Sequence, residues 1–241
     1  MFSNLKLGLK PHNPEHVERV AALAPKSQLE VADLLIASVP VDWALGRYWD
    51  PDPLDNDKIG ICGPAAVVNW LKMMTAAKGR DSRAYTVEAA REAYHALGWD
   101  GTDKTDNGVV LLDLLTYWQQ VGIGGVKLDA VFRVGFADAE HLATATVIAP
   151  LLVGATLTQA CQTSTFWDKS IAADPTIWGG HCYLYHANSP GGGNGKSWGS
   201  AIFTTPDFGR QRWNEVYLPV VRDLMPNWIN YDRLISLAKQ L

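Results

Sequence analysis

Apolar residues along the chain change their spacing near residue 125. Before that point they predict three helices, and the one over 63–77 is apolar at almost every position. A helix that is apolar all round is buried, so 63–77 is predicted to be the central helix of the fold. The other two helices are predicted over about 87–97, after Thr86 as a cap, and over about 109–120.

After residue 125 the apolar pattern is that of strands. Alternating or continuous apolar runs predict five strands, with one helix over 136–149 between them. The glycine-rich stretch 189–199 is predicted to be a turn between two strands, and a last short helix is predicted over Tyr231 to Lys239. Because helices come first and strands second, we predict an α+β fold, a helical half packed on an antiparallel β-sheet half. The predicted strands are 126–134, 151–157, 181–187, 201–205 and 215–221.

The first 38 residues have a different character. They show little periodicity and contain Pro11 and Pro14, which predicts an extended N-terminal arm over the surface. One short helix is predicted within it at 27–36, with Ser27 as a cap and Glu30 three residues on. The main domain is then 39–241, with a helical subdomain at about 39–124, a sheet subdomain at about 125–221 and the C-terminal helix at about 231–239.

Composition and charge narrow the classes of function. The chain has 241 residues, of which 47% are hydrophobic and 19% charged, as in soluble globular proteins. Its net charge of −4, without a basic block, gives no indication of a nucleic-acid partner. No apolar run reaches the ~20 residues of a membrane span, and no signal peptide is visible. Three cysteines leave at least one unpaired, so we expect a cytoplasmic protein or a virion component assembled inside a cell.

Cys62 has the clearest chemical context. It stands between Gly60 and Gly63 and opens the apolar helix, so it is predicted to lie at a helix N-terminus. The unpaired N–H groups and the partial positive charge there stabilise a thiolate, and the glycines let a substrate come close. A cysteine nucleophile also needs a base from elsewhere in the chain. The alternative is that Cys62 is a small buried apolar residue at the start of a core helix.

His181 is the candidate base. It follows two glycines at the start of a predicted strand, where its side chain can take the proton of Cys62 and later give it to a leaving group. The alternative is a histidine at a strand end, bonded to backbone or water. His186, at an odd offset along the strand, faces the other side and is predicted to be structural. A metal site of Cys62, Cys182 and His181 is not favoured, because no paired-ligand spacing exists, and we expect neither a metal nor a cofactor.

These residues lie in short motifs that resemble the papain-like cysteine peptidases. Residues 60–63, Gly-Ile-Cys-Gly, and the apolar helix resemble the nucleophile region of that family, and residues 179–181, Gly-Gly-His, resemble its histidine region. Residues 39–43, Val-Pro-Val-Asp-Trp, resemble the start of the mature domain, and residues 197–199 match its Ser-Trp-Gly turn. With Thr-Asp-Asn-Gly at 105–108, the match is closer still to divergent papain-like proteins of bacteria and their phages.

The resemblance implies a papain-like α+β fold and a thiol hydrolase that cleaves peptide or isopeptide bonds. It implies that Cys62 is the nucleophile, that His181 is the base, and that Asn56 takes the place of the family's oxyanion-hole glutamine. Trp198 would shield the histidine side of the cleft. Asn56 and Trp198 also have plainer interpretations, as a loop-capping asparagine and a core tryptophan. The glycines that would line the cleft are Gly60 and Gly180.

One position departs from the family pattern. Papain-like enzymes have an asparagine just before Ser-Trp-Gly that orients the histidine, and this chain has Lys196 there. A lysine cannot accept a hydrogen bond from an imidazole N–H. Asn194, and less plausibly Asn188, could take over the role; otherwise a Cys–His pair works alone, or the site is weak or inactive.

Three functions therefore stay open at the level of sequence. The first is the thiol hydrolase, with a peptide or protein substrate and with residues 1–38 either retained or removed as a pro-segment. The second is an inactive papain-like scaffold with a structural role, such as a phage virion protein that assembles with itself or with other virion proteins through its arm. The third is a thiol acyltransferase or amidase, which would use the same acyl-enzyme. An assembly arm would lie on a neighbouring subunit, whereas a pro-segment would block the cleft.

Overall fold

The chain folds as a helical half followed by a sheet half, which confirms the predicted α+β class. The computed structural model describes residues 5–11, 42–44, 50–137 and 139–239. The helices are α1 (Cys62–Ala77), α2 (Val87–Ala96), α3 (Leu111–Gln120), α4 (Ala139–Ile148), α5 (Lys169–Ala172), α6 (Pro206–Arg212) and α7 (Tyr231–Lys239). The strands are β1 (Ala130–Arg133), β2 (Leu151–Thr158), β3 (Phe166–Trp167), β4 (Ile177–Tyr185), β5 (Gly193–Ser197), β6 (Ser200–Thr204) and β7 (Trp213–Val220). Two short 3-10 helices lie at Gln159–Thr163 and Arg222–Leu224.

Helix α1 is the centre of the fold, as its apolar sequence predicts. All its residues from Cys62 to Thr75 are buried, and it packs against α2 on one side and β4 on the other. Pro64 sits in the first turn, where a missing backbone N–H leaves no hydrogen bond unmade. Trp70, in the middle of the helix, attaches it to the residue before β2, since its indole N–H donates to the Pro150 carbonyl oxygen at 2.9 Å. The helix therefore holds Cys62, its first residue, at the junction of the two halves.

The sheet presents β4 to α1. Its strands are ordered β1-β7-β2-β4-β5-β6-β3, and the described pairs are antiparallel except β3 with β6 at one edge, which is parallel. The β2–β4 pairing runs from Leu151 opposite Tyr185 to Thr158 opposite Ile177, with a bulge near its end. This long pairing fixes which face of β4 each side chain occupies.

The glycine-rich stretch differs from the sequence prediction. Residues 189–199 were expected to be a turn, but 193–197 form β5, paired with both β4 and β6. The two glycines and the asparagine of this strand have low strand propensity, and here tertiary pairing overrides that preference. Strand β4 likewise starts at Ile177 rather than at 181, and the segment between β2 and β4 contains β3 and α5, the latter capped by Asp168.

Some expectations lie outside the described residues. The short helix predicted at 27–36 and most of the N-terminal arm belong to this group. The C-terminal helix occupies the predicted Tyr231–Lys239. None of the described helices is both long and apolar enough to cross a bilayer.

Candidate active site

Cys62 lies at the N-terminus of α1 with its thiol fully buried. The backbone N–H of Cys182, on β4, donates to Cys62 Sγ at 3.3 Å. Further N–H groups from Gly8, Gly63 and Cys62 itself face the same sulfur. These donors stabilise a thiolate, yet burial dominates and raises the pKa of Cys62 to about 11. In this state Cys62 is a neutral thiol surrounded by groups that favour its anion.

The burial of Cys62 involves the N-terminal arm, of which residues 5–11 are described. This segment runs extended through the cleft between the two halves, bonding to one wall at Val109 and to the other at Gly180. Val109 N–H donates to the Gly8 carbonyl at 2.7 Å, Lys10 N–H donates to the Val109 carbonyl at 2.8 Å, and Leu9 N–H donates to the Gly180 carbonyl at 3.1 Å. The sequence prediction placed the arm over the surface, whereas its described part occupies the cleft.

At Gly8 the cleft has room for a backbone but not for a side chain. A Cβ added to Gly8 would lie 1.7 Å from the Gly60 carbonyl oxygen, and one added to Gly108 would lie 1.9 Å from the Gly8 carbonyl oxygen. On the sheet side, a Cβ on Gly180 would lie 2.3 Å from the Leu9 carbonyl oxygen. Glycines on both walls therefore let the arm approach this closely.

His181 is on β4, directly before the residue whose N–H contacts Cys62 Sγ, and is fully buried. Its Nε2 lies 2.6 Å from the Ser197 hydroxyl oxygen. Its Nδ1 has no hydrogen-bond partner among the residues that the structure describes. The Trp198 ring stacks on the imidazole with centroids 4.1 Å apart and 16° between planes. Burial lowers the pKa of His181 to about 3, so the imidazole is neutral here.

Asn56 and Gly60 lie in the buried turn that precedes α1. Asn56 is 3% exposed, and its side-chain oxygen has no hydrogen-bond partner among the described residues. Gly60 N–H donates to Asp106 Oδ1 at 2.7 Å, and the Tyr94 hydroxyl donates to the same oxygen at 2.8 Å. Lys6 of the arm pairs with Asp106 Oδ2 at 2.9 Å. Asp106 thus connects the turn before Cys62 to both α2 and the arm.

The two asparagines considered as orienting residues lie elsewhere. The Asn194 side chain is hydrogen-bonded to Asp42, and Asn188 Oδ1 accepts from the Tyr185 hydroxyl at 2.6 Å. The register explains this, because Asn194 and Lys196 share a face of β5 that is opposite to the face of Ser197. Ser197 was noted in the sequence only as part of the Ser-Trp-Gly turn, without a role, and the structure places its hydroxyl oxygen 2.6 Å from His181 Nε2.

The other chemical groups near the site are structural in their contacts. His186 is buried, and its Nδ1 pairs with Asp42 Oδ1 at 3.0 Å. Within the described ranges, no three histidine, cysteine or acidic residues are grouped so that they could hold a metal ion.

Sequence reasoning missed three features of the site. These are the position of the arm, the contact of Ser197 with His181, and the role of Asp106. Asp106 and Ser197 both belong to motifs that were noted, Thr-Asp-Asn-Gly at 105–108 and Ser-Trp-Gly at 197–199, but neither residue was given a role. The arm and Ser197 depend on strand register and on contacts between segments far apart in sequence.

Comparison with known proteins supports the fold. No protein-family model matches the chain, and no curated protein matches it either. Among solved structures, the chain is similar to xylellain, a cysteine protease from Xylella fastidiosa, with a TM-score of 0.63 and 14% identity over 91% of this chain and 97% of that one. It is also similar to the cysteine protease CMS1MS2 of Carica candamarcensis, solved in complex with E-64, with a TM-score of 0.51 and 16% identity over 76% of this chain and 99% of that one.

A third solved structure is a proform. It is that of the ragweed pollen allergen Amb a 11, a cysteine protease, with a TM-score of 0.54 and 16% identity over 92% of this chain and 76% of that one. Likenesses at these identities show the fold alone. The fold of this chain is the α+β papain-like fold that its sequence motifs predict.

Proposed function

We propose that the protein is a papain-like thiol hydrolase that cleaves peptide bonds, with Cys62 as nucleophile and His181 as base. The observation that carries the proposal is a polypeptide backbone seated directly over the thiol. The arm pairs with Val109 on one wall and Gly180 on the other, while the Gly8 N–H faces Cys62 Sγ. A cleft that pairs with backbone groups on both sides binds an extended chain by strand addition, which suits a peptide substrate.

The chemistry follows from the groups around Cys62. With a substrate in place of the arm, the Cys62 proton passes to His181 and the sulfur attacks the scissile carbonyl. The Cys62 N–H at the start of α1 and the Asn56 amide stabilise the oxyanion. His181 then protonates the leaving amine, and water hydrolyses the acyl-enzyme by the reverse transfers.

The arm holds this site in a neutral, blocked state. Burial raises the pKa of the Cys62 thiol to about 11 and lowers the pKa of His181 to about 3, so thiol and imidazole are both uncharged. Displacing the arm admits water, which favours the thiolate–imidazolium form. Amb a 11 was solved as a proform that covers 92% of this chain, which is consistent with residues 1–38 acting as a pro-segment.

The hydrolase is tested with a quenched fluorogenic peptide library and the full-length chain. In Gly8→Ala, the added Cβ would clash with the Gly60 carbonyl oxygen and should keep the arm out of the cleft. We therefore expect this variant to hydrolyse peptides faster than the wild type. Adding Cys62→Ala should abolish the activity, and adding His181→Ala should lower it by about 10² to 10⁴-fold. Cys161→Ala, at a buried cysteine in the 3-10 turn after β2, is the matched control and should keep it. Activity that survives Cys62→Ala would refute the assignment.

The other functions remain predictions with their own tests. Isopeptide cleavage, amidase action and acyl transfer need the same acyl-enzyme, so they are distinguished by substrate and by amine acceptors added to the assay. A structural role in a virion predicts that the arm seats on a second copy. The described arm residues contact Val109 and Gly180 of their own chain, which favours the hydrolase over the assembly arm.

A further inference from the structure

In the motif comparison, Lys196 stands where the family has its orienting asparagine. In the structure, Ser197 rather than Lys196 lies on the face of β5 next to His181. Leu184 on β4 pairs with Lys196 on β5, so these two residues share one face of the sheet. Side chains alternate along strands, which places His181 and Ser197 together on the other face. The 2.6 Å contact between His181 Nε2 and the Ser197 hydroxyl agrees with this register.

Lys196 has a place of its own on the opposite face. It is 1% exposed and lies near Lys72, which is also buried, and the partly exposed Asp50, where Lys72 Nζ pairs with Asp50 Oδ2 at 2.6 Å. This group joins β5 to α1 and to the turn before it. The lysine therefore departs from the family motif without entering the environment of the histidine.

The turn after Ser197 fixes its hydroxyl. Ser197 pairs with Ser200 across a two-residue hairpin loop, and both loop residues have positive φ, 50° at Trp198 and 71° at Gly199. A Cβ on Gly199 would lie 2.0 Å from the Pro51 carbonyl oxygen, so the loop is packed tightly against that segment. The same loop directs the Trp198 ring onto His181. The hairpin therefore fixes the backbone of Ser197, and its next residue, Trp198, stacks on the histidine that Ser197 contacts.

We propose that Ser197 is the positioning residue of this site: its hydroxyl oxygen accepts the Nε2–H of His181 and thereby leaves Nδ1 free to take the Cys62 proton. A hydroxyl oxygen accepts from Nε2–H in both the neutral and the protonated imidazole, as an asparagine oxygen does. Nδ1 has no partner among the described residues, so in this tautomer its lone pair is not engaged by another of them. The catalytic consequence of the proposal rests on the hydrolase proposed above; the tautomer itself does not.

The tautomer is measured directly by imidazole ¹⁵N chemical shifts in the full-length wild-type protein, with His181→Gln used to assign the signals. The expected result is a protonated Nε2 and an unprotonated Nδ1. Ser197→Ala should shift the tautomer populations, and Ser197→Thr, which keeps the hydroxyl, should retain the wild-type shifts. Ser200→Ala makes the same change at the hairpin partner and should leave them unchanged. A protonated Nδ1 in the wild type, or shifts that Ser197→Ala does not alter, would overturn the proposal.

The catalytic role is measured in the Gly8→Ala background as the pH dependence of Cys62 alkylation. Ser197→Ala should lower the maximal rate by about 10²-fold, and Ser197→Thr should restore it. If the tautomer result holds while no peptide is hydrolysed, the hydrolase fails and the positioning role stands. If hydrolysis proceeds and Ser197→Ala changes neither tautomer nor alkylation rate, the positioning role fails alone.

Discussion

At the scale of single residues, the site is a pair of ionisable groups held in their neutral forms. His181 and Cys62 are both fully buried, and the pKa of each is shifted in the direction that opposes its charge. A neutral imidazole and a neutral thiol are chemically dormant, because neither the base nor the sulfur carries the charge that thiol chemistry needs. These residues become reactive only if their surroundings change. Because burial shifts their pKa values, their neutral forms also affect how stability depends on pH.

His181 should make the fold sensitive to acid. Its pKa is lowered from 6.5 to about 3 by burial, so the unfolded chain binds a proton that the folded chain refuses. Stability should therefore be fully present above pH 6.5 and fall by about 1.4 kcal/mol per pH unit toward pH 3. His181→Gln should remove this part of the slope in urea unfolding at pH 4, 5 and 7. His95→Gln, at an exposed histidine, is the control; an unchanged slope in His181→Gln would contradict the buried neutral state.

At the scale of elements, three strands behind the site share one row of the sheet. Gly154 on β2 pairs with Cys182 on β4 and with Glu215 on β7. A Cβ on Gly154 would lie 2.6 Å from Glu215 Cγ, so the glycine makes room for the acidic side chain. Glu215 is 1% exposed, and burial raises its pKa to about 7 although Tyr217 and Arg133 oppose the shift. A buried carboxyl group thus lies in the same row of the sheet as Cys182, whose backbone N–H donates to Cys62 Sγ.

Glu215 should make the sheet less stable at higher pH. Because its pKa is raised in the folded state, the folded chain keeps a proton that the unfolded chain has lost between pH 4.5 and about 7. Stability should therefore fall by up to about 1.4 kcal/mol per unit as pH rises through that window. Glu215→Gln should flatten the dependence of unfolding free energy on pH between 4.5 and about 7, measured by chemical denaturation. Glu92→Gln, at an exposed position of α2, is the control. A wild-type slope in Glu215→Gln would contradict the shift.

At the scale of the whole molecule, the arm connects the two halves of the fold across the cleft. Its backbone bonds to Val109 in the helical half and to Gly180 in the sheet half, and Lys6 pairs with the buried Asp106. Only a glycine fits where the arm passes the Gly60 carbonyl. The same seven residues therefore cover Cys62 and bond the two halves to each other.

Gly8→Ala should couple a loss of stability to a gain in reactivity. The added Cβ would lie 1.7 Å from the Gly60 carbonyl oxygen, so it should displace the arm, remove its backbone hydrogen bonds and admit water to Cys62. We expect the variant to lose about 1 to 3 kcal/mol in unfolding free energy, to show a Cys62 pKa below that of the wild type, and to react with iodoacetamide at least about tenfold faster at pH 8. Gly191→Ala, where a Cβ meets open space, is the control. A destabilised Gly8→Ala protein with an unreactive Cys62 would show that the arm does not limit access.

The sequence by itself determined the α+β class, the buried helix behind Cys62 and the strand that carries His181. Each of these depends on local hydrophobic periodicity and on turn residues, which act over a few neighbouring positions. Asn56, Gly60 and Gly180 were also identified by their place in short motifs. Their roles in the site stay predictions.

Tertiary structure alone decided the remaining features. Strand β5 forms from a glycine-rich stretch because pairing with β4 and β6 outweighs its low strand propensity. Ser197 rather than Asn194 reaches His181, because a register of one residue decides which face a side chain occupies. The arm enters the cleft because four glycines from distant parts of the chain leave space for a backbone. Two of them, Gly8 and Gly180, are 172 residues apart. No local sequence pattern records a match between segments so far apart.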